Sequence, residues 1–252
     1  MRIQRSFIQI PGVGTKTEQS LWGAGVNDWR SEIDVTPVGP KTGERIVDFA
    51  ERAQQALEQE DITFFASRLP SAARWRLLES FREQAVALDI ETTGLDPHRD
   101  VVTTVTFHDR SGAETLIRGE DLGRERLRDQ LADAGVLLTF NGAQFDLPFL
   151  EEQFDLTIDR PHVDLRYPCH RLEWTGGLKQ IEQHLGIERA LPAVDGREAI
   201  RLWQQYERGN QAALDRLVRY NREDTRTLLP IADRVVTALD QQVLDPFLVQ
   251  SE

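Results

Sequence analysis

The chain of 252 residues contains very little cysteine, lysine or uninterrupted apolar sequence, and each shortage closes off a class of protein. A lone cysteine, Cys169, can form no internal disulfide. With His98, His108, His170 and His184 at no zinc-ligand spacing, a structural zinc site is not expected either, and Cys169 reads as a small buried residue before it reads as a nucleophile. No apolar run approaches the ~20 residues of a membrane span, and Met1-Arg2-Ile3-Gln4-Arg5 opens no signal-peptide stretch, so a cytoplasmic protein without a membrane partner is expected. Only Lys16, Lys41 and Lys179 are lysines, which leaves arginine as 27 of the 30 basic residues. Against 42 acidic residues these give a net charge of -12, which excludes a broadly basic nucleic-acid coat and requires any polyanion to be met locally. What is present, 40% hydrophobic and 29% charged residues, is enough to build a sizeable core.

Along the chain, residues 1–33 form a small unit of their own: Arg2, Arg5, Lys16 and Arg30 against Glu18, Asp28 and Glu32 leave residues 1–32 at +1 and the rest at -13. Residues 34–84 read as a linker, rich in proline and glycine through Gly43, followed by connecting helices over 44–60 and 71–83. The pattern then changes. Val86-Ala87-Leu88-Asp89-Ile90 suits a buried strand, and residues 101–107 and 114–117 follow as two more. A helix over 123–134, a strand over 136–140 and helices over 147–153, 177–185, 197–206 and 211–239 complete the pattern, the last with a bend at Pro230. Strands first and alternating helices after predict an α/β mixed sheet flanked by helices, with a small helical N-terminal segment and a tail over 241–252.

Within this frame, acidic residues fall where strands and helices end. Asp89 and Glu91 lie two apart on a strand, so they share a face and can touch one cation. Asp146 opens the helix after the turn Asn141-Gly142-Ala143-Gln144-Phe145, and Tyr220 stands four residues before Asp224 on one helical face. Alone, each has an ordinary structural alternative: a solvated strand end, a helix cap, a surface pair. Their ordered combination resembles the DEDD superfamily of 3'-to-5' exonucleases, which has a ribonuclease H-like fold, over residues 85–240. Tyr220, four before the last aspartate, matches the DEDDy type, since the five-before position of the histidine type holds Arg219 here. With Trp75, His162-Val163-Asp164-Leu165 and Leu178-Lys179-Gln180-Ile181-Glu182, the chain is similar to stand-alone YprB-type ribonuclease H-like proteins of bacteria and archaea. The central motif also resembles the proofreading domain of family B polymerases.

That resemblance implies an enzyme in which Asp89, Glu91, Asp146 and Asp224 hold two Mg2+ or Mn2+ ions across the scissile phosphate, one activating water and the other stabilising the departing 3' oxygen. Tyr220 is implied to orient the water, Thr92 and Leu95 to touch the terminal nucleotide, and Asn141 and Phe145 to line the path of a single-stranded 3' end, DNA being favoured. A non-catalytic nucleic-acid-binding protein of the same fold and a ribonuclease H-like endonuclease stay open beside it. The 27-to-3 preference for arginine with an acidic excess resembles proteins of salt-accumulating halophilic archaea, although a GC-rich genome gives the same bias.

At the N-terminus, Ile10-Pro11-Gly12-Val13-Gly14-Thr15-Lys16 resembles a helix-hairpin-helix, whose backbone N–H groups at Gly12 and Gly14, with Lys16, are implied to approach a phosphate. Glu18 departs from that motif, where alanine is usual, and a plain structural turn is an equal reading. His162 and Asp164 alternate on a short strand and either support the site or merely pack. The five tryptophans are core candidates, any exposed one a base-stacking surface.

Overall fold

A computed structural model of the chain describes residues 1–31, 38–191 and 196–248. These fall into two compact units: Met1–Arg82 with Asp233–Glu252, and Glu83–Ala232.

The first unit is helical, with α1 (Thr15–Gly23), α2 (Pro40–Glu58), α3 (Ile62–Ala66), α4 (Leu77–Ser80) and the closing helix α11 (Asp245–Leu248). Pro40 is a helix start and not part of a linker: at the first turn its fixed φ is helical and its missing N–H would have had no partner. From there Ile46, Phe49, Ala53 and Ala56 recur on one buried face. The helix expected over 71–83 is broken into a 3-10 turn Ser71–Arg76, α4 and a second 3-10 turn Arg82–Gln84. Residues 34–84 are therefore more than connectors, since Phe49, Phe65, Trp75 and Phe81 share full burial with Phe7, Trp22 and Trp29 of the N-terminal segment. Of the expected linker, residues 34–37 lie outside the described residues, as do 249–252 of the expected tail; α11 places Phe247 5.9 Å from the Trp22 ring.

Glu18, the departure from the hairpin motif, is an anchor of this unit. One of its carboxylate oxygens accepts from the backbone N–H of Phe7 at 2.7 Å and of Ile8 at 3.1 Å. The Arg76 guanidinium forks onto both oxygens at 2.7 and 2.9 Å and also reaches the Ser6 hydroxyl at 2.8 Å. Ahead of the hairpin there is only a 3-10 turn, Ile3–Arg5, so one of the two helices of the named motif is a single turn.

The second unit is the expected mixed sheet. Its strands β1 (Ala85–Thr92), β2 (Val102–Asp109), β3 (Gly112–Ile117), β4 (Val136–Thr139) and β5 (His162–Asp164) run in the order β3-β2-β1-β4-β5. β3, β2 and β1 pair antiparallel, and β1, β4 and β5 pair parallel. Leu88, Ile90, Val105, Phe107, Leu116 and Leu137 pack into one core with Leu127 and Leu131 of α5 (Arg124–Asp133) and Phe149 and Leu150 of α6 (Asp146–Phe154). A second cluster joins Leu202 and Trp203 of α9 (Gly196–Glu207) to Leu214, Leu217 and Tyr220 of α10 (Gln211–Val243). α7 (Arg166–Arg171), absent from the sequence reading, and α8 (Leu178–His184) lie between. α10 continues through Pro230 as one helix, at the cost of one backbone hydrogen bond. Trp203 is buried like Trp22, Trp29 and Trp75, while half-buried Trp174 packs its ring 5.7 Å from His184. Cys169 is fully buried, with its thiol pushed up to about 12 by desolvation, so it serves packing and not chemistry.

Among the described residues no helix is long and apolar enough to cross a membrane.

Candidate metal centre and active site

Strand β1 fixes the first two candidate ligands. Asp89 stands opposite Thr106 and Glu91 opposite Thr104 on β2, and a bulge follows directly between Glu91 and Thr92, after which Thr92 pairs with Val102 in a shifted register. β1 pairs with β4 only as far as Ala87. Beyond that point the Ile90 N–H donates to Asp146 Oδ1 at 3.1 Å, which draws the first residue of α6 to the carboxylate side of β1. From the other direction, α10 brings Asp224 so that one ligand oxygen each from Asp89, Glu91 and Asp224 lie within 4.8 Å of one another.

This is a costly assembly without a cation. Burial raises the pKa of Asp89 well above the carboxylate range, and the charges of Asp146, Asp224 and Glu91 raise it further. Glu91 is raised by burial, then by Asp224 and Asp146, with Lys179 opposing. Asp146 is pushed up to about 7, chiefly by desolvation and against the Ile90 N–H bond. Asp224 too is raised by burial, but Arg189 beside it pulls the other way. The three carboxylates that converge, Asp89, Glu91 and Asp224, offer hard oxygen donors suited to a hard divalent cation and nothing to a soft metal, while Asp146 lies outside that group of three.

Tyr220 is buried one turn before Asp224, and its hydroxyl hydrogen-bonds that carboxylate. Desolvation first, and the Asp224 charge second, raise the phenol above its usual value, so it stays protonated at neutral pH. As a neutral phenol it can donate and orient.

The turn that carries Asp146 is held from β5. Asp164 accepts from the backbone N–H of Asn141 at 2.7 Å, of Ala143 at 3.1 Å and of Arg166 at 3.1 Å. His162 bonds Thr139 Oγ1 at 2.8 Å, and that hydroxyl accepts from the Gly142 N–H at 3.2 Å. Both β5 residues thus support the site's loop. Asn141 sits at φ 70, a conformation that asparagine tolerates, with its side-chain oxygen on Arg166. Phe145 is committed partly to packing, 5.4 Å from Phe149. Thr92 spends its hydroxyl on the Gly94 carbonyl at 2.5 Å, whereas Leu95 is 84% exposed and free to meet a ligand. Gly12, Gly14 and Lys16 belong to the first unit: Gly12 adopts φ +85 beside the Arg45 guanidinium, Gly14 caps α1 and Lys16 is exposed.

Several residues around the carboxylates escaped the sequence reading. Asn221, fully buried, donates to Asp89 at 2.6 Å while its oxygen accepts from Thr104 at 3.1 Å and Thr106 at 2.5 Å. Arg189 ion-pairs with Asp224 and with buried Glu182. Nothing local marked them; only the adjacency of Asn221 to Tyr220 was a signal.

Fold and site together define an α/β protein with a carboxylate centre at the end of the central strand of a mixed sheet. The sequence profile of the RNase_H superfamily matches residues 86–236, well over half of the chain, and the chain belongs to that superfamily. Among solved structures, the family B DNA polymerase of the archaeon Pyrobaculum calidifontis aligns with 66% of the chain at a TM-score of 0.50 and 21% identity; the chain spans 27% of that polymerase. Brucella melitensis NrnC with bound Mg2+ aligns with 67% of the chain and 80% of its own length, at 23% identity and a TM-score of 0.49. The same protein bound to pGG aligns at 21% and 0.48. No curated protein matches the sequence.

Proposed function

We propose that the chain is a metal-dependent 3'-to-5' exonuclease of the DEDDy type, hydrolysing phosphodiester bonds at single-stranded 3' ends of nucleic acid, DNA before RNA. The observation that carries the reading is the convergence of Asp89, Glu91 and Asp224 within 4.8 Å, with Asp146 adding its charge and the Tyr220 hydroxyl on Asp224, in a unit of the RNase_H superfamily. Asp89, Glu91, Asp146 and Asp224 would hold two Mg2+ or Mn2+ ions. When bound, those ions supply the positive charge that such a reaction needs at the water and at the leaving oxygen. Neutral Tyr220 orients the water through its hydroxyl, and exposed Leu95 and the Asn141 loop meet the terminal nucleotides. The N-terminal hairpin, with Gly12, Gly14 and Lys16, adds a further phosphate contact to an acidic protein.

The test is the full-length protein with Mg2+ or Mn2+ on 5'-labelled single strands and duplexes of DNA and RNA, each with a free or blocked 3' end. Stepwise shortening that requires a free 3' end, and that disappears in Asp224→Asn, is expected. Cleavage of blocked substrates would make the protein an endonuclease. Binding without any cleavage would make it a non-catalytic binder. Lys16→Glu is expected to weaken binding while leaving the reaction chemistry intact.

A further inference from the structure

Glu182 is a carboxylate that the proposed reaction does not use, yet it is 1% exposed. Burying it is expensive unless a cation pairs with it. Arg189 does so through one nitrogen, at 2.8 and 2.9 Å to the two Glu182 oxygens, and the Thr227 hydroxyl adds a bond at 2.5 Å. The second nitrogen of the same guanidinium donates to Asp224, and the Arg189 Cζ lies 5.7 Å from the centroid of the Tyr220 ring. Thr227 itself is on α10, three residues beyond Asp224, so Glu182 is fastened to the helix that carries the ligand.

We propose that Arg189, clamped by Glu182, is a positioning residue: it fixes the rotamer of Asp224 and the ring of Tyr220, and it holds back one Asp224 oxygen from the cation. The inference rests on the exonuclease reading only for its effect on turnover. Planar, forked donation suits this task and an ammonium does not, because one point charge cannot span both carboxylates with fixed angles. Arginine over Asp224 also weakens the attraction of that carboxylate for a cation, so the geometry trades metal affinity for alignment.

Arg189→Ala alone would leave Glu182 buried and unpaired, so the variants are Arg189→Lys and the double Glu182→Gln with Arg189→Gln. Both are made in the full chain and compared for kcat, KM, melting temperature and Mn2+ binding by calorimetry. A loss of about 10- to 100-fold in kcat with little change in KM is expected for both, the usual scale for groups that orient a metal ligand. The double variant is expected to bind Mn2+ about threefold more tightly, since Asp224 is released. Full rescue by Arg189→Lys would overturn the proposal, as would Mn2+ affinity in the double variant that is unchanged or weaker. If the wild type proves to have no nuclease activity, the exonuclease reading fails but the Mn2+ comparison still decides the role of Arg189.

Discussion

Replacing Asp146 with asparagine should make the metal-free protein more stable while weakening its hold on a cation, and the gain should depend on pH. The buried carboxyl holds its proton up to about 7, whereas in the unfolded chain it gives it up near 3.8. A carboxyl whose folded pKa is raised contributes no penalty below the unfolded value; stability is then lost progressively as pH rises from about 4 to about 7, and the loss is constant above that. Three pKa units at 1.36 kcal/mol each set a ceiling of about 4 kcal/mol on that loss. The substituted amide carries no charge at any pH, and its oxygen can still accept from the Ile90 N–H that Asp146 engages at 3.1 Å. The substitution also removes one of the charges that raise Asp89 and Glu91, which adds to the gain in the same direction. Urea unfolding in EDTA, followed by circular dichroism from pH 4 to pH 8, should therefore give nearly equal stabilities at pH 4 and a widening advantage for Asp146→Asn up to pH 7. Mn2+ should stabilise the wild type at pH 8 by more than the variant, which keeps Asp89, Glu91 and Asp224 but loses the carboxylate of Asp146, because ligand binding stabilises the folded state in proportion to its affinity. A gap that does not grow with pH, or a variant that Mn2+ still stabilises fully, would refute the account.

Tyr220→Phe removes only the hydroxyl that bonds Asp224 and should lower kcat by roughly 10- to 1000-fold with Mn2+ affinity preserved; an unchanged rate would reduce Tyr220 to packing. Gly142→Ala would put a methyl 2.5 Å from Thr139 Cβ, so the turn before Asp146 must shift. A destabilisation of about 1–3 kcal/mol together with reduced kcat is expected, read by unfolding and turnover on one preparation. Glu18→Ala would strand Arg76, whose side chain is 4% exposed, and should cost about 3–5 kcal/mol of stability in thermal or urea unfolding. For that reason point changes such as Lys16→Glu probe the hairpin more cleanly than removal of residues 1–33, which takes Glu18 away.

What could be read from the sequence was whatever local periodicity encodes. Alternation along β1 places Asp89 and Glu91 on one face, and a four-residue step stacks Tyr220 on Asp224, so both pairs were visible before any tertiary contact was known. The breaks over 71–83 and the start of α2 at Pro40 were not, because short 3-10 turns and a proline at a first helical turn depend on which groups are buried nearby, and composition alone reads them as a longer helix or a linker. The partners of the carboxylates are further from view still. Asn221 reaches Asp89 across 132 positions and Arg76 reaches Glu18 across 58, separations at which only the packed fold sets the register. Yet both buried glutamates left a trace. Glu18 stands where the motif that this segment resembles has alanine, and Glu182 falls beside Ile181 on the buried face of α8. A charge placed among apolar positions cannot be left unpaired. Such a residue therefore announces a cation elsewhere in the chain, Arg76 in one unit and Arg189 in the other, and in the second case that cation leads directly to Asp224, one of the three converging carboxylates.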